Sequence, residues 1–245
     1  MALNETTILD KKTSRIRRVS ELLSELHHVS IHESMSDIIY KDIVRKVFNR
    51  ELKQGQRITE SQITKEFHVS SIPVREAIFK LERDGWIERI PNKGSYVSDY
   101  KDKEKLKELF LVRKNIELGA FYSLVKNATD QQLNHLESLI KDIEVAYENK
   151  QLNQYREADS IYHCTVVLYA NGRQMEEYFE QVLLKCGAFV DYPENPEDFM
   201  KYPLETHQPT HRVIHEALRA RDLLLVLQLV DKHTGSGAQE AGIDI

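Results

Sequence analysis

Apolar side chains recur every three or four residues along most of this 245-residue chain, and the period changes clearly in one place. Ile16, Val19, Leu22, Leu23, Leu26 and Val29 form a first helical stripe within an N-terminal extension of residues 1–35, flanked by Arg15, Arg17 and Arg18. Ile38, Ile39, Ile43, Val44 and Val47 form a second, which Ser36 or Asp37 can cap. After a turn at Gln54–Gln56, Thr59 followed by Gln62 reads as a capping box opening a short helix with Ile63 and Phe67 inward. His68 to Ser71 make another turn, and Pro73 falls in the first turn of a helix whose core face is Val74, Ala77, Ile78 and Leu81. The pattern then shortens. Trp86-Ile87 and Tyr96-Val97 read as two strands joined by Pro91-Asn92-Lys93-Gly94, a turn with a cation at its tip. Helix, turn, short helix, turn, longer helix, hairpin is the order of a winged helix-turn-helix, expected over residues 36–98.

The helical period then holds almost to the end. Leu106, Leu109, Phe110, Arg113, Ile116, Glu117 and Ala120 mark one long helix, and Leu133, Leu136, Leu139, Ile140 and Ile143 a second. Leu152–Tyr169 and Met175–Val190 give two more, a polar loop spans Asp191–Thr206, and His211–Ala220 and Asp222–His233 close the set. Residues 235–245 contain three glycines and no stripe, so a frayed tail is expected. The predicted fold is mainly α: an N-terminal winged helix-turn-helix followed by an all-α antiparallel bundle over residues 99–234.

Charge supports two tasks for two domains. The formal net charge is -5, yet residues 36–98 carry 12 Lys and Arg against 9 Asp and Glu, whereas residues 99–245 carry 17 against 25. An acidic remainder repels phosphate unless it is held away from nucleic acid. No apolar run approaches the roughly 20 residues that cross a bilayer, and no secretory leader is visible, so a cytoplasmic protein without a membrane partner is expected. Cys164 and Cys186 lie among apolar neighbours and read as reduced core thiols.

VSSIPVREAIFKLERDGWIERIPNKGSYV, with its approach GQRITESQITKEFHVS, resembles the DNA-binding domain of the GntR family of bacterial transcription regulators, from about Ser36 to Val97. In such a motif the first turns of the second helix reach base edges in the major groove. Arg75 is then the candidate for a bidentate contact with guanine and Lys80 for a phosphate contact. Ser61, Ser70 and Ser71 can donate to phosphate, and Lys93 with Gly94 can bring the wing tip to a groove. Family members commonly carry arginine where this chain has Ser71, which weakens one expected contact; Arg57 is a cation that could compensate. The resemblance implies a homodimer on a palindromic double-stranded operator.

In ADSIYHCTV, Asp159 and His163 are four apart and share a helix face with Tyr155, Tyr162 and Val166. A buried carboxylate and imidazole need partners, and His211 and His233 lie in the last two helices. One carboxylate and three imidazoles suit a divalent transition metal, zinc first, with nickel or manganese also compatible. By spacing alone, His207 and His215 compete with His211. The helical half resembles the FCD ligand-binding domain of the FadR subfamily, whose pattern matches Asp159, His163, His211 in HRVIHEAL and His233 in VDKH. That resemblance further implies a small organic acid as effector, its oxygens completing the metal shell, and assigns a cation to its other end. Arg113, in a segment matching the family's R-x-x-x-E, is that cation, with Glu117 one turn on to orient it.

Three functions are compatible with these residues: a regulator sensing a carboxylate through a metal, a regulator for which the metal ion is itself the signal, and a metallohydrolase in which the same site activates water. The hydrolase leaves the winged motif unexplained and lacks a separately placed general base, so no enzymatic activity is expected.

Overall fold

The computed structural model describes residues 34–99, 103–189, 208–240 and 242–245. The helix expected over residues 16–29 and the loop at 191–206 lie outside the described residues. The chain divides into two compact units at Asp102/Lys103.

The first unit contains α1 (Met35–Phe48), β1 (Arg57–Ile58), α2 (Glu60–Phe67), α3 (Ser71–Arg83), β2 (Ile87–Ile90) and β3 (Gly94–Val97). Ser34, rather than Ser36 or Asp37, caps α1 by accepting from the Asp37 amide; Ser36 is already helical and buried. The capping box at Thr59 and Gln62 is present in full, and His68 closes α2 in the left-handed conformation at φ 53°. The core is built from Ile39, Ile43, Val44, Val47, Val74, Ala77 and Leu81, closed by Trp86, Ile87 and Val97. β2 and β3 pair antiparallel as the wing, with Ile87 opposite Val97. β1 adds to the outer side of β3, giving the order β1-β3-β2. Two residues are too few to show a period of two, so this strand was not legible in the sequence.

The second unit is all helical among the described residues: α4 (Lys103–Asn127), α5 (Asp130–Glu148), α6 (Leu152–Asn171), α7 (Arg173–Phe189), α8 (Gln208–Arg219) and α9 (Leu223–Glu240). Thr129 and Gln132 form a second capping box at the start of α5. Helix α6 is the central element, packed against α4, α5 and α7, and Ser160 and every residue from Tyr162 to Leu168 are buried. Helix α9 packs against α4 and α8. Cys164 and Cys186 are buried free thiols. The expected frayed tail is corrected here: α9 continues to Glu240, and Thr234, Ala238 and Ile243 are buried. The glycines misled because burial against the bundle outweighs their weak helix propensity. At Gly237 an added Cβ would stand 3.8 Å from the Phe110 ring, an ordinary packing contact.

Thr59→Ala should remove the hydroxyl that accepts from the Gln62 amide, leaving only the backbone half of the first capping box, and cost about 1 kcal/mol. In urea unfolding this reads as a lower midpoint with an unchanged slope; an unchanged midpoint would contradict a stabilising cap.

Candidate functional site

Asp159 and His163 come from α6, His211 from α8 and His233 from α9. The Nε2 of His163 lies 3.3 Å from Nε2 of His211 and 3.3 Å from Nε2 of His233. Asp159 Oδ1 lies 3.3 Å from His211 Nε2 and 3.6 Å from His163 Nε2. The imidazoles are 1%, 1% and 7% exposed in the order His163, His211, His233, so little solvent reaches the point on which they converge. Ring packing fixes them further. His163 stacks on His233, His211 stands edge-on to both, and the Tyr162 ring packs edge-on against His163 and His211.

An ion about 2.0–2.1 Å from each nitrogen sets nitrogen pairs roughly 3.0 Å apart at right angles and roughly 3.4 Å apart at the tetrahedral angle. The two nitrogen separations from His163 fall within that interval, and the three histidines form the one such group among the described residues able to hold a metal. His215 is not part of it: its Nε2 accepts from Arg219 Nε at 3.0 Å and lies 4.0 Å from Glu137. His207 lies outside the described residues.

Arg113 and Glu117 border the cluster from α4. Arg113 Nε donates to Glu117 Oε1 at 2.7 Å, and its Nη2 is 3.2 Å from His163 Nε2. Glu117 is fully buried, and its Oε2 stands 3.0 Å from His163 Nδ1, a charge contact off the line of a hydrogen bond. Glu117 therefore serves His163 as well as Arg113. The four-residue spacing revealed the first partner, but the second is 46 residues away on another helix and left no mark in the pattern.

On the first unit, the solvent face of α3 carries Ile72, Arg75, Glu76 and Phe79, all exposed. Arg75 Nε pairs with Glu60 Oε2 of α2 at 2.8 Å. Both side chains are largely exposed, and such pairs are worth about 0–1 kcal/mol, so the guanidinium is readily released to another acceptor. Lys80 points elsewhere: its Nζ is 2.6 Å from Asp37 Oδ1 and 3.1 Å from Ser36 Oγ. It ties α3 to the first turn of α1, an inward role that differs from the phosphate contact expected of it; Asp37 is in turn held below the usual carboxylate range by Lys80 and Ser34. Ser61 and Ser70 are exposed, Ser71 is half-buried, and the Ser70 hydroxyl makes no capping bond. At the wing tip Lys93 is exposed, and Gly94 adopts φ 113° with the Arg57 guanidinium 3.4 Å from where a Cβ would sit. Arg57 thus lies against the wing turn, beside Lys93.

Residues 35–97 match the model of the bacterial regulatory proteins of the gntR family, and residues 108–236 match the FCD domain. The chain belongs to the GntR family of transcription regulators with an FCD ligand-binding domain. The HTH-type transcriptional repressor RspR of Escherichia coli K12 is 30% identical over 80% of this chain and 83% of its own. An uncharacterised HTH-type regulator of Bacillus subtilis, YdhC, is 27% identical over 79% and 85%. Among solved structures, E. coli McbR/YncC shares the fold with a TM-score of 0.70 at 21% identity, covering 86% of this chain and 98% of its own. A GntR regulator from Rhodococcus gives 0.69 at 19% identity, over 86% and 99%. Membership of a family of DNA-binding regulators sets the hydrolase reading aside. No described helix is long and apolar enough to cross a membrane.

In this GntR-family protein the FCD charges are strongly coupled. Burial would raise the Glu117 carboxyl, but His163 and Arg113 bring it down to about 2. Burial alone would lower His163; Glu117 and Asp159 override it and hold the imidazole up to about 9. His215 responds in the opposite sense, pushed down to about 4 by burial and by the Arg219 guanidinium. A histidine depressed in this way supports the fold above its unfolded value, near 6.5, and that support is lost as pH falls from there towards 4. With chelator present throughout, His215→Asn should flatten the fall in unfolding free energy between those limits relative to wild type. Equal acid dependence in the two proteins would show that His215 does not carry it.

Proposed function

We propose that this chain is a homodimeric regulator of the FadR subfamily whose FCD domain recognises a small organic acid through a divalent metal, zinc first among candidates, and relays its presence to an operator. The observation that carries the reading is the convergence of His163, His211 and His233 from three helices on one buried point, with Asp159 Oδ1 3.3 Å from His211 and 3.6 Å from His163. These four residues would hold the ion. Bound there, it would supply Lewis acidity toward the oxygens of an anionic ligand. Arg113, 13% exposed and anchored by Glu117, places a permanent cation beside the same point, suited to a carboxylate's other end. Residues 36–98 form the DNA-binding domain in this reading, and residues 99–234 the effector-binding and dimerisation domain.

On the DNA side, Arg75 is the base-reading side chain, with Ser61, Ser70, Ser71, Lys93 and Gly94 near phosphate. Lys80 is better understood as the strut that sets the angle of α3 on α1. Arg57 takes its place among the cations near the wing. Effector binding would shift the population of winged-domain arrangements, and operator affinity would follow from the differential affinity of the ligand for them. A two-fold dimer requires a palindromic operator.

Two measurements test the two halves separately. Protein purified without a histidine tag should contain one metal ion per chain, and His211→Ala should lose it; unchanged content in the variant would remove the proposed centre. Arg75→Ala should weaken operator binding in a mobility-shift assay by about tenfold or more, the value of one bidentate base contact. Wild-type affinity in that variant would remove the proposed reading residue.

A further inference from the structure

The first turns of α3 present an apolar side chain where a DNA-reading helix is expected to be polar. Ile72, the second residue of the helix, is 68% exposed. The core-facing positions of α3 are already filled by Val74, Ala77, Ile78 and Leu81, so among the described residues Ile72 is not part of its unit's core. A single exposed isoleucine is unremarkable on an ordinary surface. This one stands three residues before Arg75 on the same solvent face, in the turns that enter the major groove in a helix-turn-helix.

Major-groove chemistry restricts what such a side chain can do. Three of the four bases present only hydrogen-bonding groups there; thymine alone adds a methyl group at C5. An isoleucine laid on a purine N7 or a cytosine amino group strips water from it and offers no partner, which is unfavourable. On a thymine methyl it removes apolar surface from water at no polar cost. Ile72 and Arg75 are three residues apart on a helix rising about 1.5 Å per residue, so they are offset by about 4.5 Å along its axis, between one and two of the roughly 3.4 Å steps of stacked base pairs. The two side chains therefore reach neighbouring steps.

We infer that Ile72 is a specificity-determining residue that reads a thymine 5-methyl group within two base pairs of the guanine contacted by Arg75. This rests on the proposal that Arg75 reads a base, and it adds a second, apolar letter to the half-site. Phe79, 65% exposed and two turns further along the same face, lies beyond the turns that reach base edges and provides an internal comparison.

The full chain, with its native metal content, would be used to select bound duplexes from a random pool. Each thymine of the selected half-site would then be replaced in turn by uracil, which deletes only the methyl group. One replacement, within two base pairs of a guanine required for binding, should weaken wild-type binding about fourfold, the equivalent of one methyl group returned to water. The same replacement should leave Ile72→Ala unaffected, while Phe79→Ala should keep the full sensitivity. The inference is overturned if no uracil replacement alters wild-type affinity, if Ile72→Ala remains equally sensitive, or if the sensitivity disappears in Phe79→Ala. Those results would leave the Arg75 reading intact, because that fails only if Arg75→Ala binds the selected duplex as wild type does. A pool that yields no bound duplex would overturn both.

Discussion

Three imidazoles converge inside a helical bundle, His163 Nε2 standing 3.3 Å from both His211 and His233, with an Asp159 oxygen 3.3 Å from His211 and 3.6 Å from His163. That arrangement is costly by itself, since a carboxylate and three imidazoles are crowded together where water is largely excluded. Its relief must come from positive charge. Arg113 reaches towards it from α4, and the spacing suits a divalent ion at the centre. Much of the FCD domain reads as support for that requirement. Helix α6 is buried along most of its second half so that Asp159 and His163 are held on one face, and α8 and α9 pack together to deliver His211 and His233. Glu117, fully buried, holds Arg113 with one oxygen and stands against His163 with the other, so the guanidinium and that imidazole share one anchor.

The DNA-binding unit solves a different problem, presenting a helix face that does no structural work. Helix α3 buries one stripe in the core and is tied to α1 through Lys80, Asp37 and Ser36. Asp42, buried on α1, accepts from Arg45 and pairs with Lys46, so its charge is matched within its own helix. With these demands met by other residues, Ile72, Arg75 and Phe79 remain on the surface, and Arg75 is held only by an exposed pair with Glu60. Sequence-specific contact needs side chains that are free to trade a weak partner for a base edge.

The described helices, the hairpin and the capping box at Thr59 were legible because each follows from local spacing. So were Asp159 and His163, four apart on one helix. His211 and His233 became legible only through resemblance to the family pattern, since ten histidines offer many quartets by chance; the packing of α8 and α9 is what separates His211 from His215. What could not be read was nonlocal. Strand β1 is too short to show a period, the Glu117–His163 and Arg75–Glu60 contacts join different helices, and Lys80 looked like any surface lysine until α1 was placed beside it. The end of α9 was misjudged for the opposite reason, because local composition pointed to fraying while tertiary burial holds Ala238 and Ile243.

The central claim is that the metal is part of the receptor and an organic acid is the signal. It is tested most directly by titrating operator binding with small carboxylates at fixed, saturating metal, and again after the metal has been chelated. The account predicts that at least one carboxylate changes operator affinity by roughly five- to 150-fold, the usual range of allosteric coupling, and that the response vanishes without metal or in Arg113→Ala. Operator binding that tracks metal concentration alone, with no carboxylate response at saturation, would make the ion itself the signal and contradict the account.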